Sequence, residues 1–247
     1  MLVLDTRAAR ALDRAAMERY GIPGVVLMEN AAAGTIAVAA AMLGGLDGRR
    51  VVVAAGPGNN GGDAYAIARH AHNAGASVAI VALGRPRPGS DAAVNAAIVA
   101  RMGIPVHGPD ALSLGRAEPW DLVIDGLFGI GLDRPLEGEA RSLVERINGL
   151  GAPTLAIDIP SGLDGDSGLP LGIAIEAART ATMVAPKPAM LLPEAMRWIG
   201  GWCVIDIGAP RALLAEFAQD RLDDSRTEQL RPAAIIRPAP PGDRSPP

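Results

Sequence analysis

The sequence predicts an α/β fold, a Rossmann-like three-layer α/β/α sandwich built on a mostly parallel, doubly wound sheet. Short β-branched apolar runs alternate with amphipathic segments, the pattern of parallel strands joined by crossover helices. A glycine-rich turn, GPGNNGGDA, stands between the first such run and the helix after it, as in dinucleotide-binding units. Length and composition agree: 247 residues, 49% of them hydrophobic, can bury one sizeable core.

In chain order, residues 6–20 carry apolar Ala9, Leu12 and Ala16 at helical spacing with charges between them, and Gly21-Ile22-Pro23 stops that helix. A second helix follows the segment VVLMENAA. Its alanine-rich stretch from Ala31 to Leu46, broken by Gly34 and Thr35, reads as a buried helix, short of the roughly 20 uncharged residues a membrane span needs. Then come strand 49–56, helix 63–75, strand 77–83, helix 91–103, strand 121–128, helix 137–151 and strand 153–160, with further strands near 180–186 and 202–208. Residues 1–220 form the expected single domain. Residues 221–247, rich in proline and charge with little to bury, read as a disordered tail.

A formal net charge of −4 with mixed signs argues against a nucleic-acid face and for a small-molecule partner. The lone cysteine, Cys203, has no internal disulfide partner, and the N-terminus lacks a basic region followed by an apolar stretch; a reducing, cytoplasmic setting is expected. Among 23 basic residues the single lysine is Lys187, which suggests a position where a compact ammonium is required.

Three loops at predicted strand ends carry the chemistry. Gly56, Gly58 and Gly61 satisfy GxGxxG, but the acid that a dehydrogenase places near the end of the next strand is replaced by Arg85 and Arg87. The only tyrosines, Tyr20 and Tyr65, have no lysine nearby to serve hydride transfer. Asn59, Asn60 and Asp63 make the turn more polar than a phosphate loop requires; Asp63 reads equally as a helix cap or as a site residue. The second loop, GLFGIGLDRPLEG, follows Asp125, an acid inside an apolar strand that a cation would satisfy. The third, DIPSGLDGDSG, brings Asp158 and Ser161 to the same crevice, with Asp164 and Asp166 favoured as a solvated turn. Asp158 is the candidate acid-base group.

Across about residues 5 to 210, the segments LMENAA, GPGNNGGDA, DGLFGIGLDRPLEGE, IDIPSGLDGDSG, APKPAMLLP and VIDIGAP stand in the order of the YjeF N-terminal domain family, which the chain resembles. The resemblance implies epimerisation of hydrated NADH and NADPH (NADHX and NADPHX) at nicotinamide C6, in a homodimer with a potassium ion at the site. It implies Asn60, Asp125 and Ser161 as potassium ligands. Asn59, Asn60, Gly61, Gly62 and Asp63, then Gly129, Ile130, Gly131, Leu132, Asp133, Arg134 and Pro135, and Asp158 would contact the substrate. A separate dehydratase would complete the repair. Ala64 departs from the family's usual glycine and is expected to crowd the ligand, and the run before PKP at Lys187 also differs. The competing functions are a non-catalytic scaffold of the same fold and a nicotinamide-dependent dehydrogenase. A scaffold would lose the cation and acid positions, which are present here.

Overall fold

The computed structural model describes residues 2–111 and 119–218, with the backbone of two short strand segments at 220–221 and 235–236. A two-residue strand, β1 (Leu2–Val3), precedes helices α1 (Thr6–Tyr20) and α2 (Gly24–Leu43). Then follow β2 (Arg50–Ala55), α3 (Asn59–Asn73), β3 (Ser77–Ala82), α4 (Asp91–Arg101) and β4 (Val106–His107). The second half runs β5 (Leu122–Gly126), α5 (Gly138–Asn148), β6 (Thr154–Ile157), β7 (Arg179–Met183), α6 (Met196–Ile199), β8 (Gly201–Ile205), α7 (Arg211–Phe217), β9 (Asp220–Arg221) and β10 (Ile235–Ile236).

The main sheet is parallel at every pairing, in the order β10-β8-β7-β6-β5-β2-β3-β4. From β2 the chain builds outward to β4, then crosses back to β5 and builds outward the other way. The strand order therefore reverses between β2 and β5, where the loops at their carboxyl ends part and open a crevice. Alternate residues of β2 serve opposite layers, as a strand's two-residue period requires. Val51, Val53 and Ala55 pack with Leu12, Ala32 and Ile67 of α1 to α3, while Val52 and Ala54 pack with Leu143, Val144 and Ile147 of α5.

Asp5 caps α1 by accepting the Ala8 N–H at 2.6 Å, and Gly21 ends the helix in the left-handed conformation. Helix α2 begins at Gly24, seven residues before the apolar run read from the sequence, because Glu29 and Asn30 are carried within it. By length and composition alone it would cross a membrane. Here it packs on α3, β7 and β8, so closely that a Cβ on Gly34 would lie 2.3 Å from Ile205 Cγ2.

Helix α3 starts at Asn59, four residues before the predicted helix; Gly58 is its N-cap residue, so Asp63 is not a cap. At the start of the predicted tail, Asp220–Arg221 pairs antiparallel with β1, and within it Ile235–Ile236 pairs parallel with β8. The remainder of that predicted disordered stretch lies outside the described residues.

Candidate active site

The loops after β2, β5 and β6, with α1 and the start of α2 over them, enclose a cavity of about 680 Å³. Glycine is what lets the first two loops meet. A Cβ on Gly56 would lie 1.7 Å from the Leu127 carbonyl oxygen, and one on Gly61 would lie 1.8 Å from that of Gly56. The cavity is lined by Gly58, Asn59, Asn60 and Asp63 from the α3 side, residues 129–134 from the β5 loop, and Asp158 beyond β6. Arg10 and Asp13 of α1 and Asp91 of α4 complete its charged lining, together with Asp133 and Arg134 of the β5 loop. Asp125, Ser161, Gly61, Gly62 and Pro135, also expected at the site, do not line it. Gly62 packs toward Met28 and Ala92, and Pro135 toward Gly172.

Asp158 takes a left-handed backbone, φ 66°, and Val184 across from it does the same at 68°. Such conformations cost on the order of 1–3 kcal/mol each and persist where the surroundings enforce them. Asp158 Oδ1 accepts hydrogen bonds from Thr182 Oγ1 and the Met183 N–H, both at 3.2 Å, and from the Lys187 ammonium. Lys187 is 1% exposed and also donates to Thr182 Oγ1 at 2.9 Å and the Met183 carbonyl at 3.2 Å. Its three N–H groups are matched by these three acceptors, an arrangement suited to a compact ammonium rather than to a guanidinium's planar fork of five donors.

Two further carboxyls face this pair, and neither makes a hydrogen bond among the described residues. Burial, reinforced by the Asp158 charge and opposed by Lys187, raises Asp13 from its ordinary 3.8 to about 6. Burial, then the charges of Asp158 and Asp13, raises Asp63 well above its ordinary value, although its side chain keeps some opening to the cavity. Burial therefore favours the protonated form of both carboxyls more than at an ordinary exposed aspartate. Sequence reading missed Asp13, which sits four residues after Ala9 on the buried stripe of α1; an acid on an apolar stripe was the available signal.

Segment 24–189 matches the family described as YjeF-related protein N-terminus. The chain belongs to this family. Among its curated members, the NAD(P)H-hydrate epimerase of Pirellula staleyi is 38% identical over 222 residues, covering 87% of this chain and 96% of that protein. The bifunctional NAD(P)H-hydrate repair enzyme Nnr of Salinibacter ruber is also 38% identical, but the chain spans only 42% of its length. The crystal structure of yeast ynu0 shares the fold, with a TM-score of 0.76 at 22% identity over 92% of this chain and 98% of that one.

The matched segment contains Asp63, Asp125, Asp158 and Lys187, but not α1 with Asp13. Asp125 is 0% exposed beneath the β5 loop, where it accepts the Ser161 hydroxyl at 2.6 Å, the Ser161 N–H at 2.8 Å and the Leu127 N–H at 3.2 Å. Burial raises Asp125 to about 6 despite these bonds. Ser161 Oγ accepts the Phe128 N–H at 2.8 Å, so the pair ties β5 to the third loop. Asn60 Nδ2 is buried without a partner, and a Cβ on Gly129 would lie 3.3 Å from Asn60 Cγ. Ala64, in place of the family's usual glycine, is fully buried against Gly126 and does not line the cavity. Asp164 accepts the Ser167 N–H and hydroxyl, both at 2.7 Å, as a turn residue, whereas Asp166 accepts the Thr6 N–H at 2.9 Å and hydroxyl at 2.7 Å and anchors α1.

Proposed function

We propose that this chain inverts C6 of hydrated NADH and NADPH, interconverting the R and S forms. The observation that carries the reading is the Asp158–Lys187 pair with two further part-buried carboxyls, Asp13 and Asp63, on the wall of one cavity. The names of the relatives favour epimerase over scaffold or dehydrogenase. A cavity of about 680 Å³ falls in the usual size range for small-molecule and cofactor sites.

The chemistry is acid-base and conserves atoms. A carboxyl of the Asp13/Asp63 pair gives a proton to the C6 hydroxyl, the C–O bond breaks as the ring nitrogen supplies its electron pair, and water departs. Water then adds to the opposite face of the now planar C6, giving its proton to Asp158, and the proton returns to the first acid through the cluster. No electron leaves the ring, so no redox partner is needed. Lys187 holds Asp158 in place and balances part of the cluster's charge.

A potassium ion fits the oxygen donors of Asp125 and Ser161 with the Asn60 amide, whose buried nitrogen lacks a partner and whose oxygen takes that place if the amide turns over. Asp125 Oδ2 accepts only one hydrogen bond and keeps lone-pair capacity for a cation. Bound there, the ion would neutralise Asp125 and stiffen the β5 loop. A homodimer, and a dehydratase acting on the S form, complete the proposal.

The test supplies pure R hydrate of NADPH with potassium and follows the S form through a separate S-specific dehydratase. Conversion above the spontaneous rate, lost in Asp158→Asn, is expected. No acceleration by well-folded protein, with or without potassium, would refute the proposal and leave the scaffold.

A further inference from the structure

We propose that Asp91 receives the adenosine ribose of the substrate and makes the cavity prefer the hydrate of NADH to that of NADPH; this rests on the function proposed above. The sheet sets the direction in which a dinucleotide lies. Along its carboxyl edge the order is β6, β5, β2, β3; Asp158 follows the end of β6 and Asp91 opens the helix after β3, and those two strand ends are three spacings apart. At about 4.8 Å per spacing, that is roughly 14 Å, near the span of an extended dinucleotide. Between them, at β2, the amino terminus of α3 presents Gly58 and Asn59 to the cavity, suited to a pyrophosphate. With nicotinamide at Asp158 and pyrophosphate at α3, the second ribose falls toward α4.

Asp91 is built to meet it. It lines the cavity, is part-buried, and lies against the start of α2, where a Cβ on Gly24 would be 2.3 Å from its Oδ2. The helix does not need it as a cap, because the Ser90 hydroxyl accepts the Ala93 N–H at 3.2 Å. Its carboxylate makes no hydrogen bond or ion pair among the described residues, so it keeps acceptor capacity for a ribose hydroxyl even with Oδ2 packed against Gly24.

A 2′-phosphate in the same place would meet a negative charge. The arginines that would welcome it do not line the cavity: Arg85 and Arg87 are exposed in the loop before α4. Arg10 and Arg134 do line it, but they belong to α1 and the β5 loop, not to α4 or the loop before it. The acid that dinucleotide folds place at the end of the second strand is thus displaced a few residues, to the first turn of the next helix.

The experiment compares kcat/KM for the hydrates of NADH and NADPH, alongside calorimetric binding of NAD+ and NADP+, in the parent protein, Asp91→Asn and Arg85→Ala/Arg87→Ala. The parent should favour NADHX and NAD+, and Asp91→Asn should shrink both preferences by roughly tenfold, the kinetic change falling in KM. The arginine variant should leave the ratios unmoved. Equal ratios in parent and Asp91→Asn, or ratios that follow the arginines, would overturn the assignment. If neither hydrate is epimerised the functional proposal fails separately, and the NAD+ to NADP+ binding ratio still decides Asp91. Protein that binds neither dinucleotide would overturn both.

Discussion

Replacing Lys187 by methionine removes the cation that pairs with Asp158, beside the raised carboxyls Asp13 and Asp63. The side chain is 1% exposed, and its ammonium meets Asp158, Thr182 and the Met183 carbonyl. Deleting one partner of a buried ion pair costs about 3–5 kcal/mol, because the other charge is left without compensation. In a domain of this size each kcal/mol moves Tm by about 2–4 °C, so Lys187→Met should melt roughly 6–20 °C below the parent at pH 8. The sign of the pH dependence follows from Asp13. Its folded pKa is already raised to about 6, and Lys187 is the group opposing that rise. Without the lysine it climbs further, and a raised carboxyl contributes stability that is present at low pH and lost as pH rises through the folded value. The deficit should therefore be smaller at pH 5 than at pH 8. Lys187→Arg should not restore the parent, since a planar guanidinium does not fit the site of a compact ammonium. The double variant Asp158→Asn/Lys187→Met should recover at least half of the loss, because both members of the pair are gone. Thermal unfolding from pH 5 to pH 8 measures all of this. A Lys187→Met protein melting within 2 °C of the parent at pH 8, or losing more at pH 5, would refute the reasoning.

Asp13→Asn should raise stability at pH 7.5 by about 2 kcal/mol relative to pH 4.5, since the raised carboxyl no longer has to ionise; urea unfolding at the two pH values checks this. Epimerisation should fall in the same variant, with the limb near pH 6 lost from its pH profile. Gly61→Ala should cost about 3 kcal/mol, its Cβ pressing 1.8 Å from the Gly56 carbonyl oxygen, while Gly58→Ala, with nothing within 4 Å, should be nearly neutral; denaturant midpoints in the reverse order would count against the packing. Ser161→Ala should lose about 2 kcal/mol by removing a buried donor to Asp125 and the acceptor of the Phe128 N–H. The rise in Tm on adding potassium, expected in the parent, should be smaller in that variant.

What could be read from the sequence was set by how local each signal is. Asp125 stood out because an acid inside an apolar strand has to be satisfied, and the structure supplies Ser161 and Leu127 for it. Asp63 was ambiguous because GPGNNGGD has the composition of a turn; helix α3 starts earlier only because Gly56 and Gly61 allow backbone to press on backbone, a tertiary fact. Lys187 announced itself as the one lysine, yet its partner Asp158 is 29 residues away at the end of an adjacent strand. The placement of β5 beside β2 rather than beyond β4 depends on which edges pair, and periodicity within one strand does not encode that.

Helix α1 is better understood as a wall of the site than as a surface helix with a separate purpose. It lies before the segment that matches the family, yet it contributes Arg10, Asp13 and Met17 to the cavity. It is tied down at both ends: Thr6 bonds to Asp166 of the third loop and Leu4 N–H to the Pro186 carbonyl at 3.1 Å, while Arg19 pairs with Glu216 of α7 at 2.7 Å. The Asp166 and Pro186 anchors lie close in sequence to Ser161 and Lys187, so the position of α1 and the geometry around Asp158 are set by the same loops. Burial is the main cause of the raised pKa of Asp13, and docking the helix is what buries it. The raised affinity of Asp13 for its proton, which the proposed acid-base inversion at C6 uses, is therefore a property of the docked helix together with the sheet edge, and of neither alone.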